Sequence, residues 1–217
     1  MIFDMDGVIV DNHRYHLRSW LSFFERNGIH MTEAEYKEKV NGRVMHTILP
    51  ALLNRPLSAE EIRTLGDQKE AEYRELYRPD IQPTPGLVDF LRELQQKDVP
   101  RAIATSAPPS NVDFTLEHTR LRSYFPVIVD DTMVTTGKPD PEVYLKSAEQ
   151  LGMPTDRCIV FEDAILGIQA GKSAGMSVVA LATTHTRDEL EATEADYIVE
   201  DFKGLTVAAL QQALHLA

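Results

Sequence analysis

The sequence has a single cysteine, Cys158, and no apolar run that approaches the roughly 18 residues of a membrane-spanning helix. One cysteine excludes an intramolecular disulfide. Because Cys158 lies in the apolar run Cys-Ile-Val-Phe, we interpret it as a buried core thiol without a reactive role. The N-terminus also lacks the basic-then-apolar layout of a signal peptide. We therefore expect a cytoplasmic protein that does not associate with membranes.

Basic residues are few relative to acidic ones, with 22 Lys and Arg against 34 Asp and Glu and a net charge of -12. A surplus of negative charge repels the phosphate backbone of nucleic acids, which argues against a general nucleic-acid binder. The 217 residues, 43% hydrophobic and 26% charged, are typical of a globular protein with one core domain and room for a smaller inserted one. An acidic protein that handles anionic substrates needs local positive charge, from a metal or from a few placed basic groups.

From Gly86 onward, short apolar runs typical of strands alternate with amphipathic helical stretches. This βα alternation predicts an α/β fold with a Rossmann-like parallel sheet covered by helices on both faces. The predicted strands are Arg101–Thr105, Val127–Val129, Cys158–Phe161, Ser177–Leu181 and Tyr197–Val199, and the predicted helices are Leu87–Gln96, Asn111–His118, Pro141–Leu151, Ala164–Ala174 and Leu205–Leu214.

Residues from about 12 to 78 differ, because they contain no convincing strand. Their apolar residues recur at helical spacing and predict the helices His13–Asn27, Thr32–Lys39, Val44–Leu53 and Ala59–Tyr77. A proline-rich segment follows and ends at Gly86, which indicates a stiff linker. We therefore predict a core domain of residues 1–11 and 80–217, interrupted by an all-helical cap domain of residues 12–79.

The start of the chain carries two carboxylates, where an apolar run leads into Asp4-Met-Asp6-Gly7. Side chains alternate along a strand, so Asp4 and Asp6 would point the same way, and Gly7 permits a sharp turn. Two acids at the end of a core strand repel each other unless a cation or a phosphate chemistry uses them. The same pattern also occurs in ordinary surface turns, and this segment alone does not separate the two interpretations.

Three later segments also carry polar groups beside predicted strands, and ligands collect at the carboxyl ends of strands in open parallel sheets. These segments are Thr105-Ser106, Gly137-Lys138-Pro139-Asp140-Pro141 and Glu162-Asp163. Together with the aspartate pair, they would place several carboxylates, a hydroxyl and an ammonium around one point. Carboxylates crowded in this way require a hard divalent cation, and Mg²⁺ prefers such oxygen ligands.

In this order, the four segments resemble the haloacid dehalogenase superfamily of phosphotransferases, and the resemblance covers essentially the whole chain. The helical insert directly after the aspartate pair is similar to the cap of the β-phosphoglucomutase-like branch. The resemblance implies that Asp4 is the nucleophile that forms an aspartyl-phosphate. It implies that Asp6 is the general acid and base, with its backbone carbonyl on Mg²⁺.

The remaining core roles are likewise what the resemblance implies. Thr105 would hydrogen-bond a phosphoryl oxygen, with Ser106 also at the substrate, and Lys138 would neutralise charge on the nucleophile and the phosphoryl group. Asp163, supported by Glu162, would complete the Mg²⁺ site. Thr105 and Lys138 also have ordinary interpretations, as a strand end and as a solvated lysine at a helix start.

Three residues of the insert are candidates for substrate binding by the same resemblance. His16 matches a histidine that the mutases use to couple cap closure with acid–base positioning, and Arg43 and Lys69 could bind an anionic leaving group. Each is also an ordinary packed or solvated side chain in many helices. β-Phosphoglucomutases carry an arginine where this chain has Met45, and without that clamp on a second phosphate we favour a phosphatase.

The sequence thus predicts a Mg²⁺-dependent phosphatase that hydrolyses a small phosphorylated metabolite, with sugar phosphates favoured by the cap type. The alternative is a β-phosphoglucomutase that interconverts β-glucose 1-phosphate and glucose 6-phosphate. A catalytically silent binding protein has no support while all four segments are intact. A dehalogenase is disfavoured because it has no use for the acid–base Asp6 or for a bound Mg²⁺. Oligomeric state is not readable from the sequence, and a monomer is the simplest expectation.

Overall fold

In a computed structural model of the chain, residues 1–40 and 45–215 are described, and they form two compact units. One unit combines Met1–Asp11 with Gln82–Ala217, and the other is the continuous segment Asn12–Ile81. The smaller unit is therefore an insertion into the chain of the larger one.

The larger unit is built on a six-stranded sheet in which every neighbouring pair of strands is parallel. The predicted α/β fold with a parallel sheet is confirmed. The strands are β1 (Ile2–Phe3), β2 (Ala102–Ala104), β3 (Val127–Val129), β4 (Ile159–Glu162), β5 (Ser177–Leu181) and β6 (Tyr197–Val199).

The strand order β3-β2-β1-β4-β5-β6 reverses direction at β1. The chain adds β2 and β3 on one side of β1, and then β4, β5 and β6 on the other side. At such a reversal the loops that leave neighbouring strands diverge and open a crevice at the carboxyl edge of the sheet. The first residues beyond the carboxyl ends of β1, β2 and β4 are Asp4, Thr105 and Asp163.

The two faces of the sheet bury different side chains, because neighbours along a strand point to opposite faces. Ile2 pairs in register with Ala102 and Val160. On the other face, Phe3 pairs in register with Phe161, and their rings stack with centroids 4.7 Å apart. Three further aromatic rings pack on this pair and complete a buried aromatic cluster: Phe90, Phe125 and Phe202. This cluster packs on β1 and β4, the strands that lead into Asp4 and Asp163.

The inserted unit consists of four helices in its described residues, as predicted for a helical cap. Capping boxes at Thr32 and Ser58 start the second and fourth of them. The helices bury a shared aromatic and aliphatic core that includes Trp20, Phe23 and Phe24. They are α1 (His13–Arg26), α2 (Glu33–Lys39), α3 (Met45–Leu52) and α4 (Ala59–Tyr77).

The larger unit carries α5 (Leu87–Gln96), α6 (Pro109–Thr119), α7 (Glu142–Leu151), α8 (Ile165–Ser173), α9 (Arg187–Glu191) and α10 (Val207–Ala213). Helix α6 starts two residues earlier than predicted, because Pro109 occupies its first position, which suits a residue without a backbone N–H. The short α9, with its capping box at Thr186, was not predicted. Strand β4 extends to Glu162, which pairs with Ala180 of β5. Within the described residues, no helix combines the length and apolar character needed to span a membrane.

Candidate active site

Asp4 lies directly beyond β1, where the Asp4 N–H donates a 2.9 Å hydrogen bond to the carbonyl oxygen of Phe161. This bond continues the β1–β4 ladder by one residue and fixes the Asp4 backbone. The chain then turns at Gly7, whose φ of +76° is a conformation that residues with a side chain rarely adopt. The Gly7 N–H closes the turn with a 2.8 Å bond to the Val10 carbonyl. The Asp4 side chain is buried.

Lys138 joins the acids of two strands. Its ammonium donates a 2.6 Å hydrogen bond to Asp4 Oδ1 and a second bond to Glu162 Oε1. The lysine side chain is 5% exposed, and both carboxylates are buried to a similar degree. Buried charges are stable only when they are paired, so this ammonium and its two carboxylates depend on one another.

Both carboxylate oxygens of Glu162 accept hydrogen bonds from the protein. Besides Lys138, its Oε1 atom accepts a 2.9 Å hydrogen bond from the buried hydroxyl of Tyr144. Its Oε2 atom accepts two backbone N–H bonds of 2.8 Å, from Asp163 and Ala164. A Cβ atom on Gly167 would lie 1.7 Å from Glu162 Oε1, so only glycine at position 167 leaves room for this carboxylate.

The electrostatics of this cluster show an excess of negative charge. Burial raises the pKa of Asp4 to about 8, although Lys138 acts to lower it. Burial, and then the charges of Glu162 and Asp4, raise the pKa of Asp163 well above its ordinary value. Burial alone would lower the pKa of Lys138, but Asp4 and Glu162 outweigh it and hold that pKa well above the ordinary value. One ammonium does not compensate the buried carboxylates.

The described residues contain one group of acids that could hold a metal ion, formed by Asp4, Glu162 and Asp163. One oxygen from each lies within 4.8 Å of the others, and all three residues are buried. Three carboxylates that face a single ammonium leave two negative charges to be balanced when all are ionised. The oxygen donor set and this charge surplus both fit a hard divalent cation.

Thr105 and Ser106 lie beyond β2, the neighbour of β1 in the sheet. Thr105 is buried, its N–H continues the ladder to Val129, and its hydroxyl accepts a 3.1 Å bond from the Ala107 N–H. Its hydroxyl proton can still donate to a ligand. Ser106 is half-buried at the same strand end, and Asp6 is half-buried in the turn after β1.

The inserted unit has a second set of candidate residues, described by itself. Lys69 Nζ lies 2.8 Å from His16 Nδ1 and 2.9 Å from Glu70 Oε1, and the lysine side chain is 1% exposed. The ammonium also lies over the rings of Trp20 and Tyr73, 5.0 and 5.5 Å from their centroids. The structure thus brings His16 and Lys69 together. Arg43, the third candidate of the insert, lies outside the described residues.

Sequence reasoning missed several polar residues of the core cluster. Tyr144 has no signal in the sequence, because its contact with Glu162 depends on how α7 packs on the sheet. Thr183 and Thr184 follow β5, and the carboxyl-edge rule that singled out Thr105 would have pointed to them as well. Thr183 Oγ1 donates a 2.6 Å bond to the Gly7 carbonyl. Against the burial that raises the pKa of Asp163, Thr184 acts through its side chain to lower it.

Comparison with known proteins shows the family to which this chain belongs. A family model described as haloacid dehalogenase-like hydrolase matches residues 1–181. The chain is 30% identical to fructose-1-phosphate phosphatase YqaB of Escherichia coli over 82% of this chain and 94% of that protein. It is 29% identical to β-phosphoglucomutase of Bacillus subtilis over 98% of this chain and 93% of that protein.

A solved structure is similar along the whole chain. The crystal structure of a HAD hydrolase, family IA, variant 3, from Entamoeba histolytica superposes with a TM-score of 0.89 at 29% identity, covering 99% of this chain and 98% of that one. The inserted helical cap and the parallel sheet are common to this type of fold. The protein described here belongs to the haloacid dehalogenase-like hydrolases, in the β-phosphoglucomutase-like branch.

Proposed function

We propose that the protein is a Mg²⁺-dependent phosphatase that hydrolyses a small sugar phosphate through an aspartyl-phosphate intermediate on Asp4. The observation that carries this proposal is the bond of 2.6 Å between Lys138 Nζ and Asp4 Oδ1, inside a buried group of three carboxylates. A carboxylate held beside an ammonium at a strand end is positioned to attack an electrophile that carries negative charge. The sugar-phosphate class is supported by the fructose-1-phosphate phosphatase relative.

In the first step, a carboxylate oxygen of Asp4 attacks phosphorus and forms a P–O bond, while the bond from phosphorus to the sugar oxygen breaks. Asp6 gives a proton to the leaving sugar oxygen, which departs as an alcohol. Lys138 keeps one Asp4 oxygen in place and offsets charge on the phosphoryl group. Thr105 donates its hydroxyl proton to a phosphoryl oxygen, and Ser106 lies at the same strand end.

In the second step, water attacks the same phosphorus and passes a proton to Asp6, while the P–O bond to Asp4 breaks. Inorganic phosphate is released, and Asp4 and Asp6 return to their starting protonation states. Splitting one displacement into two lowers each barrier and requires only that water reach the intermediate.

Asp4, Asp163 and the backbone carbonyl of Asp6 are the groups we propose to hold Mg²⁺, with Glu162 in support. When bound, the ion supplies positive charge that stabilises the phosphoryl oxygens in the transition state. Glu162 has both oxygens engaged by protein donors, so its contribution is to anchor Lys138 and the Asp163 backbone. In this assignment Asp4 attacks phosphorus and binds the ion, Asp163 binds the ion, and Glu162 anchors its neighbours.

Substrate selection is assigned to the inserted unit, which we propose acts as the cap of residues 12–79. Lys69 carries a buried ammonium that is held by His16 and Glu70 and faces two aromatic rings. A charge held in this way is pre-organised for hydroxyl or anionic groups of a sugar phosphate. Arg43 is proposed for the same role from the resemblance alone.

The test is a phosphate-release assay on a panel of sugar phosphates with Mg²⁺, and after removal of the metal by EDTA. We expect release by the wild type that depends on Mg²⁺, and none by Asp4→Asn. Asp156→Asn is the matched control, because this exposed aspartate precedes β4 and therefore lies at the opposite edge of the sheet. Release by Asp4→Asn at the rate of the control would refute the aspartyl-phosphate route.

The mutase alternative is tested in the same assay. β-Glucose 1-phosphate is incubated with the enzyme, and both glucose 6-phosphate and free phosphate are measured. Phosphate release that outpaces isomerisation supports the phosphatase. Isomerisation that outpaces release would assign the protein to the mutase activity of its Bacillus subtilis relative.

A further inference from the structure

We propose that Thr183 and Thr184, which follow β5, are positioning residues that hold the Gly7 turn and the Asp163 carboxylate against each other and thereby pre-organise the divalent-cation site. This inference rests on the proposed metal-dependent function. It adds a fifth chain segment to the four that the sequence indicated.

The sheet register brings these threonines to the site. Glu162 pairs with Ala180, so the residues beyond the end of β5 run past the end of β4, where Asp163 begins the next loop. Thr183 and Thr184 are half-buried there. The loop is also tied to the next strand, because the Ala182 N–H donates a 2.9 Å bond to the Val199 carbonyl. The two hydroxyls therefore extend from a backbone that is anchored on its own sheet.

Thr183 connects this loop to the turn after the aspartate pair. Its Oγ1 atom donates a 2.6 Å hydrogen bond to the Gly7 carbonyl, across 176 residues of sequence. Because Gly7 immediately follows Asp6, this bond restrains the backbone whose Asp6 carbonyl is proposed to bind the metal. The Gly7 N–H is already committed to Val10, so both polar groups of the Gly7 backbone are engaged.

Gly7 in turn forms one wall around Asp163. A Cβ atom added to Gly7 would lie 2.0 Å from Asp163 Oδ2 and 2.9 Å from Oδ1, so the carboxylate packs directly on the glycine backbone. Against the burial that raises the pKa of the same carboxylate, Thr184, the next residue of this loop, acts through its side chain to lower it. Asp163 thus packs on a backbone that Thr183 restrains, and Thr184 acts on the same carboxylate from the β5 loop.

Such restraint matters for a metal ligand, because loss of a group that orients a ligand from the outside typically weakens metal binding about 10- to 100-fold. Neither threonine reacts with the substrate in this scheme. Their effect is expected on metal affinity first, and on turnover only when the metal is limiting.

The experiment measures binding of Mn²⁺ to the full-length protein by the EPR signal of the free ion, with no substrate present, and obtains the Mg²⁺ affinity by competition. The variants are Thr183→Val and Thr184→Val, which keep the side-chain shape and remove the hydroxyl, together with Thr183→Ser. Thr119→Val is the matched control, since Thr119 Oγ1 also donates a 2.6 Å bond to a backbone carbonyl, at the C-terminal end of α6. Thermal unfolding of each variant in EDTA records the purely structural cost.

We expect each valine variant to bind Mn²⁺ about 10- to 100-fold more weakly than the wild type. Thr183→Ser should restore most of the loss, and Thr119→Val should bind as the wild type does despite a similar loss of thermal stability. Saturating Mg²⁺ should return the turnover of the valine variants close to that of the wild type.

Valine variants that bind Mn²⁺ as tightly as the Thr119→Val control would overturn the inference and leave the proposed function intact. An affinity loss that Thr183→Ser does not repair would likewise refute a role for the hydroxyl. A wild-type protein that hydrolyses sugar phosphates without binding either metal would overturn the metal site itself, and this inference with it.

Discussion

Tyr144 Oη and Glu162 Oε1 form a 2.9 Å hydrogen bond in which neither side chain is exposed beyond 1%. Lys138 donates to the same carboxylate oxygen, and its ammonium lies 5.1 Å from the centroid of the Tyr144 ring. The tyrosine therefore contacts both members of the ion pair that holds Asp4. Helix α7, which carries Tyr144, is in this way part of the candidate site although it supplies no reacting group.

Tyr144→Phe should lower kcat about tenfold, because a hydrogen bond to a charged group contributes about 1.5 to 3 kcal/mol and its loss leaves Lys138 less firmly placed. The ring and its packing remain, so KM should change little. Steady-state kinetics on the best sugar phosphate measure both constants. Tyr197→Phe, on the exposed part of β6, is the control that should behave as the wild type. Equal kcat values for the two variants would contradict the role of Tyr144.

Gly167→Ala should reduce activity on the order of 10²-fold, since displacement of a catalytic constellation by about 1 Å has effects of this size. The added Cβ would lie 1.7 Å from Glu162 Oε1, so the carboxylate must leave its position, and Lys138 loses its second partner. The measurement is the initial rate of phosphate release.

Gly66→Ala is the matched control for this substitution, because Gly66 is also a helical glycine. A Cβ atom added at Gly66 would lie 3.2 Å from its nearest neighbour, the flexible side chain of Met45. Alanine is favoured over glycine in a helix by about 1 kcal/mol. We expect unchanged activity and equal or higher thermal stability. Activity losses of the same size in both variants would show that the effect is not specific to Glu162.

The thermal stability of the protein should depend on pH through Glu142, which binds the loop that precedes Lys138. Backbone and side-chain donors of Lys146, Thr136 and Thr135 hold the pKa of Glu142 at about 2, below its ordinary value of 4.5. A carboxylate with a lowered pKa stabilises the fold fully above 4.5, and this contribution is lost as the pH falls towards about 2. Glu142→Gln should therefore have a lower melting temperature than the wild type at neutral pH.

The melting temperatures of wild type and Glu142→Gln should converge as the pH is lowered through that window. Glu149→Gln, an exposed glutamate of the same helix, is the control for a general effect of removing one acid from α7. A difference between Glu142→Gln and wild type that stays constant with pH would contradict the charge-based explanation.

Glu70→Gln should destabilise the inserted unit by about 3 to 5 kcal/mol, because removal of one partner leaves the buried Lys69 ammonium uncompensated. The pair is separated by 2.9 Å, with side chains 1% and 10% exposed. Urea unfolding followed by Trp20 fluorescence reports on this unit directly, since Trp20 lies in its core. The double variant Lys69→Met with Glu70→Gln should recover most of the loss.

Glu75→Gln is the comparison for the buried pair. Glu75 also lies in α4, and its substitution breaks an exposed ion pair with Arg78 at the end of that helix. Exposed pairs contribute about 0 to 1 kcal/mol, so its effect should be small. A Glu70→Gln variant as stable as Glu75→Gln would argue against a stabilising Lys69–Glu70 pair.

Much of the fold could be predicted from local patterns. The apolar runs at β2, β4 and β5 and the helical spacing in α4 and α5 indicated the element types, and their alternation indicated a parallel sheet. The family resemblance depended on short motifs of adjacent residues, which can be recognised without knowledge of the tertiary structure. Boundaries shifted by one or two residues where pairing decided them, as at Glu162, which joins β4 through its partner in β5.

The candidate site was predictable only in part. Residues directly after a strand, such as Asp4 and Asp163, can be found because the carboxyl edge of a parallel sheet gathers them. The Lys69–Glu70 contact could not be predicted, since adjacent residues on a helix do not normally face each other. Tyr144 could not be predicted either, because its distance from Glu162 depends on the packing of α7.

The sequence by itself determined the chemistry that is available here: carboxylates, one lysine and small polar side chains at strand ends, and a helical insert between the first strand and the rest. These features depend on side-chain alternation and helical spacing, which are local properties of the chain. Only the tertiary structure decided which of these groups form hydrogen bonds or ion pairs with one another. It also decided that Gly7 lies against the Asp163 carboxylate and accepts a hydrogen bond from Thr183. The physical reason is that such contacts arise from strand order and register, which bring together residues up to 176 positions apart.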